Sequence, residues 1–258
     1  MGPPARSGDD ERGGTFYDDT EALRAYLAHR HNPVRSPNLV MEEPAFLAEA
    51  GDLAGLRILD LGCGDGTFAR QCLAGGCQSY VGVDGSAAML AEALVSASAS
   101  ADELRVRFVR ADLEDFRAEP GSVDLVTARL VLHYVDGPDL DLVLAEAHRA
   151  LGPAGRLILS VVHPVISSGN HPPDGPRTTQ VVDNYFQPGP RRREWFGRPV
   201  VWYHRSIEQY ITALGRAGFT LSALQECEPV EELFGDQRGE YERRRRVPLF
   251  LLLSAECR

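Results

Sequence analysis

The stretch Ile58-Leu-Asp-Leu-Gly-Cys-Gly-Asp-Gly-Thr-Phe68 is where residue type and spacing point most directly to chemistry. An apolar run ends in Gly62, Gly64 and Gly66, and a helical pattern follows. Glycines at such a turn let backbone approach a ligand closely, and a helix beginning there offers free N–H groups. A dinucleotide fingerprint reads GxGxxG. Here the spacing is GxGxG, with Asp60 two residues ahead of the first glycine. A carboxylate at that point disfavours a pyrophosphate and suits a cationic ligand. A sulfonium that also carries an ammonium group fits this charge balance.

Two further acids extend the pattern. Val81-Gly-Val-Asp84 ends a second apolar run, 18 residues beyond Gly66, the reach of one helix and one strand. An acid there can accept hydrogen bonds from both hydroxyls of a ribose. Gly85 follows it, and Met89 lies one turn into the next helix, where its side chain could pack on an adenine face. After a third run comes Arg110-Ala-Asp112-Leu113. Asp112 could accept from an adenine amino group, and the Leu113 N–H could donate to the ring. Three histidines stand where an acceptor could sit: His133 after the fourth run, His163 after the fifth, and His204 ahead of a later helix. As a general base each would contribute about 10²–10⁴-fold. The same residues could instead hold structure, His163 at the start of a loop and His133 by bonding backbone from the core.

Strands and helices in alternation must position these groups. Runs at 57–61, 79–84, 105–109, 123–127 and 156–162 read as parallel strands, covered on both faces by intervening helices. Residues 1–14 read as a mobile tail and 15–55 as helices covering the site; Asp19 or Thr20 caps the first and Pro44 opens or interrupts the second. Residues 56–162 form the ligand-binding core. From 163 to about 205 the rhythm breaks in a proline-rich stretch holding Tyr185, Phe186, Trp195 and Trp202. A segment this long without clear helix reads as an insertion or lid. Its rings either wall an aromatic pocket or form a small satellite core. Residues 206–258 return to a helix and the last two strands.

Composition narrows the function. The 258 residues carry a formal charge of −10, which argues against nucleic acid as the main partner. The sequence contains no lysine, so Schiff-base and lysine-base mechanisms are excluded. Five cysteines without a CxxC pair point to neither a disulfide framework nor structural zinc. The arginine runs 191–193 and 243–246 read first as solvated faces paired with Glu240 and Glu242, and second as sites for an anion. No apolar run reaches the ~20 residues of a membrane span. The N-terminus has no apolar signal region, so the reading is cytoplasmic, without membrane association.

The glycine string, Asp84 and Asp112, in that order, resemble the class I S-adenosylmethionine (SAM)-dependent methyltransferases. The resemblance implies an α/β fold: a Rossmann-like doubly wound sheet of seven strands, the last antiparallel, with N-terminal helices and a long insertion after the fifth strand. It implies SAM as cofactor and S-adenosylhomocysteine as product. Asp60, Gly62, Cys63, Gly64 and Gly66 would line the methionine moiety, Cys63 through its backbone alone. Asp84 and Gly85 would meet the ribose, and Met89, Asp112 and Leu113 the adenine. The backbone near Arg129 would meet the amino-acid end, where Tyr17, Asn38 and Arg35 could also reach. Segments 130–136, 149–155, 160–164 and 202–219 resemble the small-molecule, natural-product subgroup. The absence of lysine fits a high-GC genome, a link of association rather than physics. Ala128-Arg129-Leu130-Val131 departs from the Pro-Pro-aromatic motif of DNA amino-methylating enzymes. Arg129 and His163 stand where catechol-type enzymes need metal-binding carboxylates, so no metal is expected.

The expected activity is metal-independent methyl transfer to a small, aromatic secondary metabolite, with oxygen as the default acceptor atom. Carbon or nitrogen of an indole-type or amine acceptor is the alternative. A non-methylating SAM-binding protein on the same fold is the rival class. A monomer or homodimer is expected.

Overall fold

β-Branched runs alternating with amphipathic stretches build one large sheet flanked by helices. A computed structural model describes residues 13–32, 36–98, 105–169 and 180–257. The chain opens with α1 (Gly13–Tyr17) and α2 (Thr20–Arg30). Asp19 caps α2 by accepting from the Glu21 and Ala22 N–H groups. A π-helical turn over Asn38–Glu42 runs into α3 (Glu43–Ala50), with Pro44 in its first turn. Then follow β1 (Arg57–Leu61), α4 (Thr67–Ala74), β2 (Ser79–Asp84), α5 (Ala87–Ser98), β3 (Val106–Arg110) and β4 (Val123–Arg129). Next come α6 (Gly137–Ala150), β5 (Leu151–Val162) and α7 (Pro164–Ser168). The hairpin strands β6 (Gly189–Trp195) and β7 (Arg198–His204) precede α8 (Ile207–Arg216), β8 (Phe219–Glu226), α9 (Arg238–Arg244) and β9 (Phe250–Cys257).

The sheet order is β3-β2-β1-β4-β5-β9-β8. Strands β1 to β5 are parallel, and β9 runs antiparallel to both β5 and β8. This is the doubly wound sheet expected, with its last strand antiparallel. Strand order reverses between β1 and β4, and such a switch leaves a crevice outside the strands' carboxyl ends. Side chains alternate between the two faces. Leu59, Leu61, Val126 and Leu159 pack with α6 and α8. Ile58, Tyr80, Leu125 and Ile158 pack with α3 and α4. Buried Tyr210, Ala213 and Leu214 form the inner stripe of α8, which Ser206 and Gln209 start with reciprocal capping bonds.

Two expectations need correction. The tail expected through residue 14 lies outside the described residues up to 12, and Gly13 and Gly14 already belong to α1. The insertion is not without regular structure: it holds α7 and the antiparallel β6–β7 hairpin. The inward positions of β6 are Arg191, Arg193 and Trp195, so arginines hide the period-two apolar pattern that marks a strand. A third cluster joins Phe16, Ala22, Val162, Val200 and Trp202, seating the hairpin on the N-terminal helices. Among the described residues no helix is long and apolar enough to cross a membrane.

Candidate active site

The glycine turn is a backbone construction. Gly62, Gly64 and Gly66 take φ of 74°, 54° and 72°, the left-handed region that favours glycine. The Gly62 and Cys63 N–H groups donate to the Val83 carbonyl at 2.7 and 3.0 Å, clamping the turn to β2. A Cβ on Gly62 would lie 2.5 Å from Val131, whereas one on Gly64 would meet nothing within 4 Å. The turn is thus sealed at Gly62 and open at Gly64. Beside the opening, Asp84 accepts from the Gly64 N–H and the Ser86 N–H, both at 2.9 Å. Burial raises its pKa, and the Ser86 and Gly64 N–H groups oppose the rise. Each carboxylate oxygen keeps a lone pair for a hydroxyl. An open cradle beside an acid with spare acceptors fits a ribosyl ligand.

Asp60 stands apart from that opening. It is 2% exposed, and its oxygens accept from the Tyr80 hydroxyl at 2.5 Å and the Thr127 hydroxyl at 2.7 Å. Burial pushes it up to about 6, against the pull of those two bonds. Its side chain braces β1 between β2 and β4, a correction to the expectation that it lines a cationic ligand. The Cys63 side chain is likewise buried, occupying the space a side chain at Gly82 would need.

Asp112 is exposed in the turn after β3, and its Oδ1 lies 3.2 Å from where a Cβ on Gly85 would be. Leu113 and Met89 are buried, and the Met89 N–H donates to Ser86 Oγ at 3.1 Å. The N-terminal helices reach this rim by a contact no motif announces. Asp18 accepts from the Ser86 hydroxyl at 2.7 Å and the Ala88 N–H at 3.0 Å, and Gly14 packs on Gly85.

At the end of β4 the Arg129 guanidinium turns away from the crevice. It donates to Glu42 at 3.1 and 2.6 Å and to Glu43 at 3.4 Å, and lies 4.4 Å from the Phe46 ring centre. Burial lowers its pKa, but Glu42 and Glu43 outweigh that and raise it. The Ser160 hydroxyl adds a bond to Glu42 at 2.7 Å. This network pins α3 to the sheet, so any ligand contact at this position falls to the backbone. The next residue, Leu130, takes a φ of 52° with its N–H on the Ser160 carbonyl, and it faces a cavity.

That cavity, of about 740 Å³, lies among the N-terminal helices, the ends of β4 and β5, the β6–β7 hairpin and α9. Tyr17, Tyr26, Tyr134, Trp195, Phe196, Trp202 and Phe250 supply its rings, and Asn38 and His133 also line it. The rings meet edge to face, as aromatic quadrupoles prefer: Tyr17 and Tyr26 at 4.8 Å, Trp195 and Trp202 at 5.6 Å. The Tyr17 and Tyr134 hydroxyls are 3.1 Å apart. Tyr185 and Phe186 stand outside; Phe186 is 87% exposed. Arg35 lies outside the described residues.

The three histidines have different surroundings. His133 packs 4.4 Å from the Tyr134 ring and 5.2 Å from Trp202, and its Nδ1 is enclosed without a hydrogen-bond partner. Burial, then Arg205 and Arg193, push it down to about 3, so it is neutral at physiological pH. His163 is not on the cavity wall: Nδ1 caps α7 by accepting from the Val165 N–H, and Nε2 sits 3.0 Å from Glu226. His204 is also absent from the wall. Its Nε2 meets the Tyr185 carbonyl at 2.8 Å and its Nδ1 the Ser167 hydroxyl at 2.7 Å. Burial lowers its pKa, leaving Nε2–H as donor and Nδ1 as acceptor. His204 has both nitrogens bonded within the fold, and His163 is buried off the cavity wall with Nδ1 engaged in a cap, so neither is placed to act as a base on a ligand in the cavity, a correction to both expectations. Asp18, Tyr26, Tyr134 and the Glu42–Arg129 pair escape sequence reasoning because their partners lie far along the chain.

Comparison with known proteins follows the same geometry. The methyltransferase-domain family matches residues 58–155. A crystal structure of an S-adenosylmethionine-dependent methyltransferase from Mesorhizobium loti is 35% identical with a TM-score of 0.74, over 83% of this chain and 97% of that one. An uncharacterized Haemophilus influenzae protein is 29% identical over 220 residues, 82% of this chain and 85% of its own. A shorter match, 32% over 139 residues, links 54% of this chain to 42% of a tRNA U34 carboxymethyltransferase from Methylococcus capsulatus.

Proposed function

This chain belongs to the S-adenosylmethionine-dependent methyltransferases, and we propose that it methylates a small aromatic acceptor held in the cavity beyond β4, without a metal and at oxygen by default. One observation carries the reading: seven phenylalanine, tyrosine and tryptophan rings line a cavity of about 740 Å³ that Leu130 and Asn38 also line, beside the strand-order switch. A formal charge of −10 favours a small acceptor over a phosphate backbone.

Bound SAM supplies a methyl on positive sulfur; transfer breaks the S–CH₃ bond, forms the acceptor–CH₃ bond and leaves neutral S-adenosylhomocysteine. In this reading Gly62, Gly64 and Gly66 supply close backbone, and Asp84 and Gly85 hold the ribose. Asp112, the Leu113 N–H and Met89 serve the adenine, and Asn38, Tyr17 and the Arg129 backbone the amino-acid end. The chain's main contribution is alignment, because a displacement at an activated methyl needs the nucleophile held in line at ~3 Å. His133 is too weakly basic, at about 3, to be an efficient base near neutral pH. Its role is to position the acceptor. The acceptor's proton leaves to solvent.

The test incubates the protein with methyl-deuterated SAM and a panel of phenols, indoles, amines and carboxylic acids. A product carrying the trideuteromethyl group establishes transfer, and its fragmentation identifies the methylated atom. Tight SAM binding with no labelled product across the panel overturns the reading in favour of a non-methylating SAM binder. Replacing Asp84 with Ala tests the cofactor side: affinity for SAM should fall about tenfold or more. A change below about twofold would remove the ribose assignment.

A further inference from the structure

The aromatic cavity contains a charge that no carboxylate in the described chain neutralises. Arg193 of β6 lines it. Its Nη2 donates to the carbonyls of Ile166, Ser167 and Gly169 at 2.7, 2.8 and 2.6 Å, and its guanidinium carbon lies 5.0 Å from the Trp202 ring centre. Its Nε is enclosed without a partner. Burial and Arg191 lower its pKa to about 10, so it keeps its charge at neutral pH.

The neighbouring cations differ. Arg30 pairs with Glu43, and Arg243 and Arg244 pair with Glu240, although Arg244 is largely buried rather than on a solvated face. Of the charged residues lining the cavity, Arg30, Arg192, Arg193, Arg243 and Arg244 stand against Glu194 alone. Carboxylates behind the wall neutralise Arg30, Arg243 and Arg244, whereas Arg193 has no carboxylate beside it among the described residues. An enclosed charge without a counter-ion is costly, and a guanidinium pairs best with a planar oxyanion. One unpaired arginine balances one negative charge, which is that of a carboxylate and not of a phosphate dianion.

We propose that Arg193 is an anion anchor and that the acceptor is an aromatic molecule bearing a carboxylate. The inference rests on the acceptor reading above and names its substrate class. The carbonyl bonds to Nη2 hold the guanidinium against the hairpin, and the surrounding rings receive the aromatic body of the ligand.

The chain has two tryptophans, Trp195 and Trp202, and both line this cavity, so their emission reports on this site. The full chain, loaded with S-adenosylhomocysteine, is titrated with 4-hydroxybenzoate and with 4-hydroxybenzamide. The acid should bind about 10- to 100-fold more tightly than the amide. Arg193→Gln should bring the two within about threefold while leaving amide affinity unchanged, and Arg193→Lys should keep part of the preference. Equal binding by the wild type, or binding of neither compound, overturns the proposal. So does a preference that persists in folded Arg193→Gln. The wild-type ratio decides the matter even if that variant unfolds. Acid preference without labelled methyl product from any acceptor overturns methyl transfer and leaves the anion anchor standing. Equal binding with methyl transfer to both does the reverse.

Discussion

The two sides of the crevice are made of different material. The cofactor side is backbone: three glycines in the left-handed region, clamped to β2 by N–H groups. Its key contact, Gly64 to Asp84, spans 20 residues. The acceptor side is side chain: rings and an arginine from segments far apart in the sequence, with Tyr17 and Tyr134 meeting across 117 residues. A backbone cradle admits little variation, because a single Cβ blocks it. A side-chain wall can be rewritten ring by ring while the sheet stays put. One fold can therefore keep one cofactor and serve many acceptors.

The sharpest way to break this contrast is at the glycines. Gly62→Ala combines a disfavoured φ with a Cβ 2.5 Å from Val131, and should cost about 3 kcal/mol of stability. Gly64→Ala faces open space, so it should cost only about 1 kcal/mol yet abolish SAM binding by filling the cradle. Thermal melts and calorimetric SAM titrations check both. Equal loss of stability in the two variants would mean that the turn is not sealed at one glycine and open at the other.

A smaller effect comes from titration, where the two sides have opposite signs. Burial raises Asp60 to about 6, above the ordinary carboxylate value of about 4, so between these pH values the folded state holds more protons than the unfolded. Its contribution to stability is therefore lost as pH rises through that window. Burial, with Arg205 and Arg193, lowers His133 to about 3, below its ordinary value of about 6.5. There the unfolded state holds more protons, and stability is lost as pH falls. Asp60→Asn should steepen the loss of stability from about pH 6 to 4, and His133→Gln should flatten it, each by about 2 kcal/mol. Urea midpoints across that range measure the slopes. Unchanged slopes in both variants would show that neither group titrates as its burial requires.

The smallest effect isolates the acceptor wall. Tyr134→Phe removes one side of the 3.1 Å contact with Tyr17 and should cost about 1 kcal/mol of stability. Acceptor affinity should fall with it and SAM affinity should hold. Equal losses for both ligands would mean that Tyr134 serves the cofactor side as well.

Legibility in the sequence follows the same division. The parallel strands and the glycine turn were readable because each is encoded locally, by apolar runs such as Arg57–Leu61 and by glycines where φ is positive. The hairpin was not, because Arg191 and Arg193 occupy inward positions that apolar residues usually mark. The histidines show a second limit. His163 and His204 have the same sequence signature as a base, a histidine beside a strand end. Only the fold reveals that Val165 engages Nδ1 of His163, that Tyr185 and Ser167 occupy both nitrogens of His204, and that neither ring reaches the cavity. Asp60 was read by its charge, but its neighbours Tyr80 and Thr127 come from other strands and decide where the carboxylate faces. Glu42 gave no signal at all, since its partner Arg129 is 87 residues away.

The place of β9 also governs the order in which the molecule can be completed. This strand follows the other described strands in the sequence, yet it lies inside the sheet, pairing with β5 on one side and β8 on the other. Until it emerges from the ribosome, β8 has no neighbour to join, and β5 carries an unpaired edge of Leu157, Leu159 and Val161. An apolar open edge is the geometry by which nascent chains pair with one another. Residues 250–257 thus decide whether the sheet closes on itself or on a neighbouring chain.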